Sequence, residues 1–403
     1  MKHFHQRGAC VALGKKVRYP AQFALFLMAY YVTNSVYQGY LTVYFKNALH
    51  FNATQIGTIL AGVAIVSVLS QPFWGTRGDR MKSRNALIRY LCLGAAALIL
   101  SLLMVKDYVA VLLITCLFAC FYMSIQPMGD SVILEALQKH DQPFGPVRMA
   151  GGLSFAFFSL LYGKIVDKTG NDVITLYAIA ALLGLTLLST FALPETPGRQ
   201  AMGGEKMSMT RLFKMKDLVR LLAFVLPMQA TMGYFYTFFS NHFLTLPGSD
   251  NALLGACYLI SACSETPYLL FSDRLFKKLG PGKLLCFSGV SLTIRWLILA
   301  FTRDYRLAMF SQIFHGWGFI VMTVSLSKYI NVVVPGELKA SGQMLLAVVS
   351  FGVARVIGNF GGGLLADAIG MQKVFFVSAG ICVVTSLIFA PYYIRRAPMN
   401  GES

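Results

Sequence analysis

The chain reads as an all-α membrane protein of twelve transmembrane helices in two pseudo-symmetric six-helix bundles. Three observations predict this. Of 403 residues, 56% are hydrophobic and only 13% charged, too apolar a balance for a soluble protein of several domains. About 20 predominantly apolar residues suffice to cross a hydrocarbon core of about 30 Å as a helix, and the sequence offers twelve such stretches. Short motifs in the first half also recur in the second.

The first span, 21–45, opens after Pro20. It is too long for a signal-peptide core, and no small-residue cleavage site follows, so the N-terminus is expected to be retained. Span two, 55–74, holds Pro72 and runs into a charged loop. Spans three, 86–105, and four, 108–136, follow, the latter carrying Pro127 and Asp130. Span five, 147–166, starts beside Arg148, and span six, 173–193, ends at the longest hydrophilic interval, Pro194 to Asp217. Beyond it come span seven, 218–245, with Pro227, and span eight, 252–276, with Glu265 and Pro267. Span nine, 283–301, holds Arg295, and span ten, 306–333, holds His315, with Lys328 near its end. Span eleven, 340–366, carries Arg355 and the cluster Gly358 to Gly363, and span twelve is 374–394. Gly and Pro inside spans mark bends or close packing of small residues. The expected organisation is a bundle at 1–193, a central loop at 194–217 and a second bundle at 218–403.

Asp79-Arg80 after span two recurs as Asp273-Arg274 near the end of span eight. Gly163-Lys-Ile-Val-Asp167 near the end of span five recurs as Gly363-Leu-Leu-Ala-Asp367 near the end of span eleven. Matching places in the two halves point to a parallel repeat, which predicts two bundles facing each other across a cavity with the substrate near the bilayer midplane.

The formal net charge of +18 is distributed by side. With the N-terminus inside, the tail (Lys2, Arg7, Lys15, Lys16, Arg18), the second loop (Arg77, Arg80, Lys82, Arg84, Arg89) and the central loop (Arg199, Lys206, Arg211, Lys214, Lys216, Arg220) all face the cytoplasm. Lys46, Lys106, Lys164, Lys168, Arg303, Arg306 and Lys373 fall outside. This asymmetry predicts a multi-pass protein of the inner (cytoplasmic) membrane with both termini cytoplasmic. No stretch supplies the solvated basic face with interleaved aromatics that nucleic acid requires. Cys92, Cys116, Cys120, Cys257, Cys263, Cys286 and Cys382 sit in spans without metal-ligand spacing and read as packing residues. Asn52-Ala53-Thr54 is an acceptor sequon on the outer side, without meaning in a bacterial host. No nucleophile with a matching base and no metal site suggests an enzyme, and no cofactor is expected.

Asp130, Arg148, Glu265, Arg295, His315 and Arg355 interrupt apolar runs. An ionisable group at mid-bilayer depth costs roughly 2.5–3.5 kcal/mol or more and marks a functional site. At ~1.5 Å rise per residue, Glu265 lies roughly 20 Å from the outer end of its span, Arg295 roughly 18 Å from the inner end and His315 roughly 14 Å from the outer end. Glu265 and Arg295 are therefore expected to neutralise each other. A carboxylate that loses such a partner in a low dielectric takes up a proton, so the set predicts a proton switch. The alternative for both pairs, Asp130 with Arg148 and Glu265 with Arg295, is a structural ion pair.

The loop Gly75-Thr-Arg-Gly-Asp79-Arg80-Met-Lys-Ser-Arg84 resembles the signature loop of the major facilitator superfamily. The resemblance implies the major facilitator fold, with Gly75, Asp79, Arg80 and Arg84 as a cytoplasmic gate motif that fastens helix ends in the outward-open state. Asp130 and Arg148, with Phe144-Gly145 before the arginine, look like the acid and arginine pair of the lactose permease group. Ser264-Glu265, Ile294-Arg295-Trp296 and Phe314-His315 fall where that group carries its acid, arginine and histidine. Departures are Gly318 in place of a proton-carrying glutamate, Phe155 in place of a sugar-stacking tryptophan, and a seventh span offering Tyr234, Tyr236, Asn241 and His242 instead of acids. Phe155 with Arg295-Trp296 and His315-Gly316 is more similar to the phenylpropionate permease branch.

The resemblance implies Asp130, Arg148 and Phe155 as substrate-binding residues and Glu265, Arg295 and His315 as proton-coupling residues. The activity it implies is proton symport of a small organic solute, a saccharide or an aromatic carboxylate. Arg148 or Arg295 is the expected counter-charge if the cargo is an anion. Proton-antiport efflux on the same fold is the alternative, but Gly145-Pro146 precedes span five instead of lying in its middle as the antiporter motif does. The expected partners are a small-molecule substrate, protons and the lipid bilayer, with the chain acting as a monomer.

Overall fold

A computed structural model describes residues 21–138, 142, 144–197, 212, 214–335 and 338–395. The basic tail and the central-loop residues Arg199, Lys206 and Arg211, read above as inward-facing charge, lie outside the described residues. Regular structure among the described residues is helical, as expected where hydrocarbon offers backbone groups no other partner.

One bundle comprises α1 (Ala21–Asn47), α2 (Ala53–Arg80), α3 (Arg84–Met104), α4 (Tyr108–Gln138), α5 (Gly145–Thr169) and α6 (Ile174–Ala192). The other starts with α7 (Lys216–Phe243) and a single helical element, Asn251–Phe301, which turns at Gly280 and contributes both α8 (251–279) and α9 (281–301). It ends with α10 (Tyr305–Val333), α11 (Ser341–Ile369) and α12 (Met371–Arg395). At the turn Gly280 has φ +74°, which glycine adopts without a Cβ penalty, and Pro281 restarts the helix where its missing N–H costs nothing. The short loop expected between spans eight and nine is thus reduced to one residue.

Eleven of the twelve helices are long and apolar enough to cross a membrane; α1 is not among them. Its polar groups, which lower its hydropathy, are used inside the bundle. Tyr122 donates to Asn34 Oδ1 at 3.2 Å, Gln126 to Tyr31 Oη at 3.0 Å and Tyr40 to the Ser159 carbonyl at 3.0 Å. The sequon asparagine is a helix cap. Asn52 Oδ1 accepts from the Gln55 N–H at 2.8 Å while Gln55 Oε1 accepts from the Asn52 N–H at 3.0 Å. The seven described cysteines are unbridged.

An even number of crossings brings the start of α1 and the end of α12 to one side, here the terminal face; the other is the distal face. The bundles meet along α5 with α8 and along α2 with α11. At the distal face Asp167, ending α5, accepts from the Asn251 N–H at 3.0 Å and the Ala252 N–H at 2.8 Å, the open first turn of α8. Two hundred residues on, Asp367 of α11 accepts from the Ala53 N–H at 3.0 Å and the Thr54 N–H at 2.7 Å, the open first turn of α2. A carboxylate at an N-terminus satisfies otherwise orphaned donors and meets the positive end of the helix dipole.

One turn before each aspartate, backbone lies on backbone. A Cβ on Gly163 would overlap the Asn251 carbonyl, and one on Gly363 the Ala53 carbonyl. On the partner helices, Gly57 and Gly255 are pressed in the same way against Asn359 and Ser159. The sequence repeat is therefore one clasp built twice. Asn241 donating to the Thr42 carbonyl at 3.2 Å and Lys46 to the Asn241 carbonyl at 3.3 Å tie α7 to α1 at the same face. Arg274 lies in the same helical element as α8, and the side chain of Asp273 lies outside the described residues, so the other repeat reveals no comparable contact.

Candidate translocation site

Between the bundles lies a cavity of about 240 Å³, walled by α1, α2 and α4 on one side and α7 and α11 on the other. The clasps close it toward the distal face, and Gln71, on its wall in the terminal half of α2, is exposed. A tyrosine links this cavity to the buried charges. The Tyr236 ring lies under the Arg355 guanidinium, 4.2 Å from centroid to Cζ, and its hydroxyl lies 3.3 Å from His315 Nε2.

Glu265, Arg295 and His315 come together, but not as the sequence predicts. Arg295 makes no direct ion pair with Glu265; His315 stands between them. Arg295 Nη1 is 2.8 Å from His315 Nδ1, and His315 Nε2 is 3.4 Å from Glu265 Oε1. A guanidinium only donates, so Nδ1 is the acceptor and the neutral ring carries its proton on Nε2, toward Glu265 and Tyr236. Arg295 is fully buried. It is held by Gln312 Oε1 at 2.5 Å and by the Phe235 face, with Cζ 3.9 Å from the ring centroid. Gln312 is itself fixed by Ser261 at 3.1 Å. The ordered sequence is arginine, histidine, carboxylate, and only Glu265, 27% exposed, reaches solvent appreciably.

Local backbone supports this placement. A π-helical stretch, Gly316–Ile320, begins at the residue after His315, and Gly316 is tight against the Ser264 carbonyl, so α8 and α10 pack with almost no gap. Two more π stretches, Val348–Val353 and Ile357–Gly361, flank Arg355. Such bulges re-aim a side chain without breaking a helix and gather at functional sites.

Asp130 and Arg148 form an ion pair at 3.4 Å, the arginine half-exposed and the acid largely buried. Asp130 Oδ1 has no hydrogen-bond partner among the described residues. Phe155 lies farther along α5 and packs edge-on against Tyr258 of α8, centroids 6.2 Å apart. None of these three lines the 240 Å³ cavity, to which α4 contributes Met123.

In the gate motif α2 continues through Gly75 and Asp79 to Arg80, which is exposed. Arg84 is buried. It holds Glu135 Oε2 at 3.1 Å and Asp79 Oδ1 at 3.3 Å, while its backbone N–H reaches the Thr196 carbonyl at 3.0 Å. These contacts join α2, α3, α4 and the segment after α6, all within the first bundle. With the distal face closed, the motif touches no helix of the second bundle through these bonds.

Glu135 and Gln312 were not singled out from the sequence. Gln312 precedes His315 by three residues and so shares its helix face, a signal that was available. Glu135 required knowing how far α4 continues beyond Asp130.

The MFS_1 like family matches residues 21–377. The chain belongs to that family. Its relatives include the maltose permease of Geobacillus stearothermophilus, 25% identical over 371 residues, 90% of this chain and 91% of that protein. The probable 3-phenylpropionic acid transporter of Escherichia coli K12 is 24% identical over 266 residues, 65% of this chain and 69% of that protein. The crystal structure of nucleoside transporter NupG aligns with a TM-score of 0.82 at 20% identity, covering 94% of this chain and 99% of that one. The protein is accordingly a multi-pass membrane transporter of the major facilitator type that moves small molecules, and its relatives are permeases, not enzymes.

Proposed function

We propose that the protein is a proton-coupled symporter that takes up a small organic solute, a saccharide or an aromatic carboxylate, by alternating access between α1–α6 and α7–α12. The reading rests on the relay from Arg295 through His315 to Glu265, joined by Tyr236 to the cavity. Glu265 is its proton carrier. A proton added there removes the negative charge that His315 Nε2 faces and weakens that contact. A proton added instead at His315 Nδ1 expels the Arg295 hydrogen bond and sets two cations side by side. In either case the contacts around Tyr236 change, and with them the wall of the cavity. Asp130, Arg148 and Phe155 are the substrate-contacting residues of the first bundle outside the 240 Å³ cavity, where the half-exposed ion pair can open to hydrogen-bond an entering solute.

Basic-residue asymmetry makes the terminal face cytoplasmic, so the conformation described is inward-facing. Gly75, Asp79, Arg80 and Arg84 form the gate element that closes this face in the opposite state. The names of the relatives, a maltose permease and a probable 3-phenylpropionic acid transporter, support the two solute classes.

Reconstituted vesicles under an imposed pH gradient, screened with maltose, uridine and 3-phenylpropionate, test this reading. Wild type should accumulate its solute about tenfold per pH unit at one proton per solute. Glu265→Gln should lower the ratio to about one while solute counterflow continues, because only the coupling is lost. Undiminished accumulation by Glu265→Gln would remove that residue from coupling.

A further inference from the structure

Arg355 is the one cavity-lining charge for which the sequence suggests no partner, and the structure leaves its charge uncompensated. Its guanidinium borders the cavity, half-buried between α7 and α11, with Tyr236 as its close neighbour. Among the described residues no carboxylate forms an ion pair with it. Its backbone has little room to retreat, since Gly233 of α7 packs against the Arg355 Cα and Gly358 against the Ala230 carbonyl. Two π stretches flank it where it lines the cavity.

Charge balance gives the position its meaning. The ionisable side chains that interrupt the apolar spans are Asp130, Arg148, Glu265, Arg295, His315 and Arg355. With His315 neutral, as its hydrogen bond from Arg295 requires, three arginines face two carboxylates. Asp130 is matched by Arg148. Glu265 and Arg295 balance through the imidazole between them. The surplus positive charge is on Arg355. A charge in a low-dielectric cavity is costly without a counter-ion, and a planar guanidinium takes a carboxylate through two parallel hydrogen bonds.

We propose that the cargo is an organic monoanion whose carboxylate binds Arg355. This inference rests on the transport reading above and narrows its two solute classes to one. The rest of the cavity fits a flat apolar body: Tyr37, Leu60, Val63, Met123 and Phe351 line it, with Gln38 and Asn359 as polar contacts. Its 240 Å³ lies below the range of about 300–1,000 Å³ for drug-sized ligands, which suits a single-ring acid better than an oligosaccharide. Arg355 also stacks on Tyr236, whose hydroxyl reaches His315. An anion drawing the guanidinium off that ring therefore acts on the proton relay through one side chain, and binding is coupled to protonation without contact between cargo and Glu265.

Equilibrium binding to the purified full-length protein tests the inference without a proton gradient, so its failure is distinguishable from failure of symport. The ligands are acid and amide pairs, benzoate with benzamide and 3-phenylpropionate with 3-phenylpropionamide, together with maltose and uridine, followed by the shift in unfolding temperature at millimolar concentration. At least one acid should bind, its amide should not, and Arg355→Gln should weaken that acid about tenfold to hundredfold. Arg355→Lys should restore part of the loss, and an unchanged unfolding temperature for both ligand-free variants shows that the fold is kept. Phenylglyoxal labelling of Arg355, read by mass spectrometry, should be blocked by the acid that binds. Binding of maltose or uridine that Arg355→Gln leaves intact, or failure of every acid to stabilise and to protect, overturns the proposal.

Discussion

Tryptophan at both Gly57 and Gly255 is expected to stop transport while leaving the protein folded and open at its distal face. Each glycine lies at a crossing where the opposite helix backbone touches it, Asn359 in one case and Ser159 in the other. Even a methyl group would have to displace main chain there. Overpacking a fixed contact costs about 1–3 kcal/mol for a few extra methylenes, and an indole adds far more, so the closed distal state becomes inaccessible. Both glycines lie at helix crossings outside the cavity, and the open state has no such crossing to overpack. Solute binding should therefore persist while the transport rate falls about 100-fold or more. Alkylation of a cysteine placed in the distal half of the cavity should become fast from that side. A double variant that transports at the wild-type rate would mean that the two crossings need not close.

Arg84→Ala is expected to give the largest stability loss of the single substitutions considered, about 2–4 kcal/mol. Arg84 is 3% exposed and serves two carboxylates, Asp79, 45% exposed, and Glu135, 17% exposed. Breaking a buried pair by removing one partner costs about 3–5 kcal/mol. Solvent around Asp79 screens its share and lowers the figure. Thermal unfolding in detergent should report the loss, and Arg84→Lys should recover only part of it, because an ammonium is a point charge without the forked geometry that reaches both acids. If Arg84→Ala unfolds at the wild-type temperature, the site is a gate element without a structural role in the bundle.

The helices were legible in the sequence because hydropathy and length decide spanning segments almost alone, as the agreement of the expected spans with α2 to α12 illustrates. The repeat was legible too, but not what it does. Gly163, Asp167, Gly363 and Asp367 mark equivalent places in the two halves, yet their partners Asn251, Ala252, Ala53 and Thr54 are ordinary residues at helix starts. Sequence carries no sign that an aspartate ending one helix caps another across the bundle interface. The buried charges were found by their cost, and the expected pairing of Glu265 with Arg295 missed the imidazole between them. Which groups touch depends on helix rotation and on bulges such as Gly316–Ile320, neither of which the spacing of charged residues reveals. Arg355 shows the same limit, since an aromatic face leaves no charge pattern to read.

Where glycines lay main chain on main chain, the barrier between the bundles is built largely of packed backbone. The carbonyls at those crossings are engaged, those of Ser159 and Asn251 also by the Tyr40 hydroxyl, and the two aspartates beside them are occupied by amide donors. Uncoupled leak current through the shut molecule should therefore be small, and the seal offers selection little side-chain surface to retune as the cargo changes.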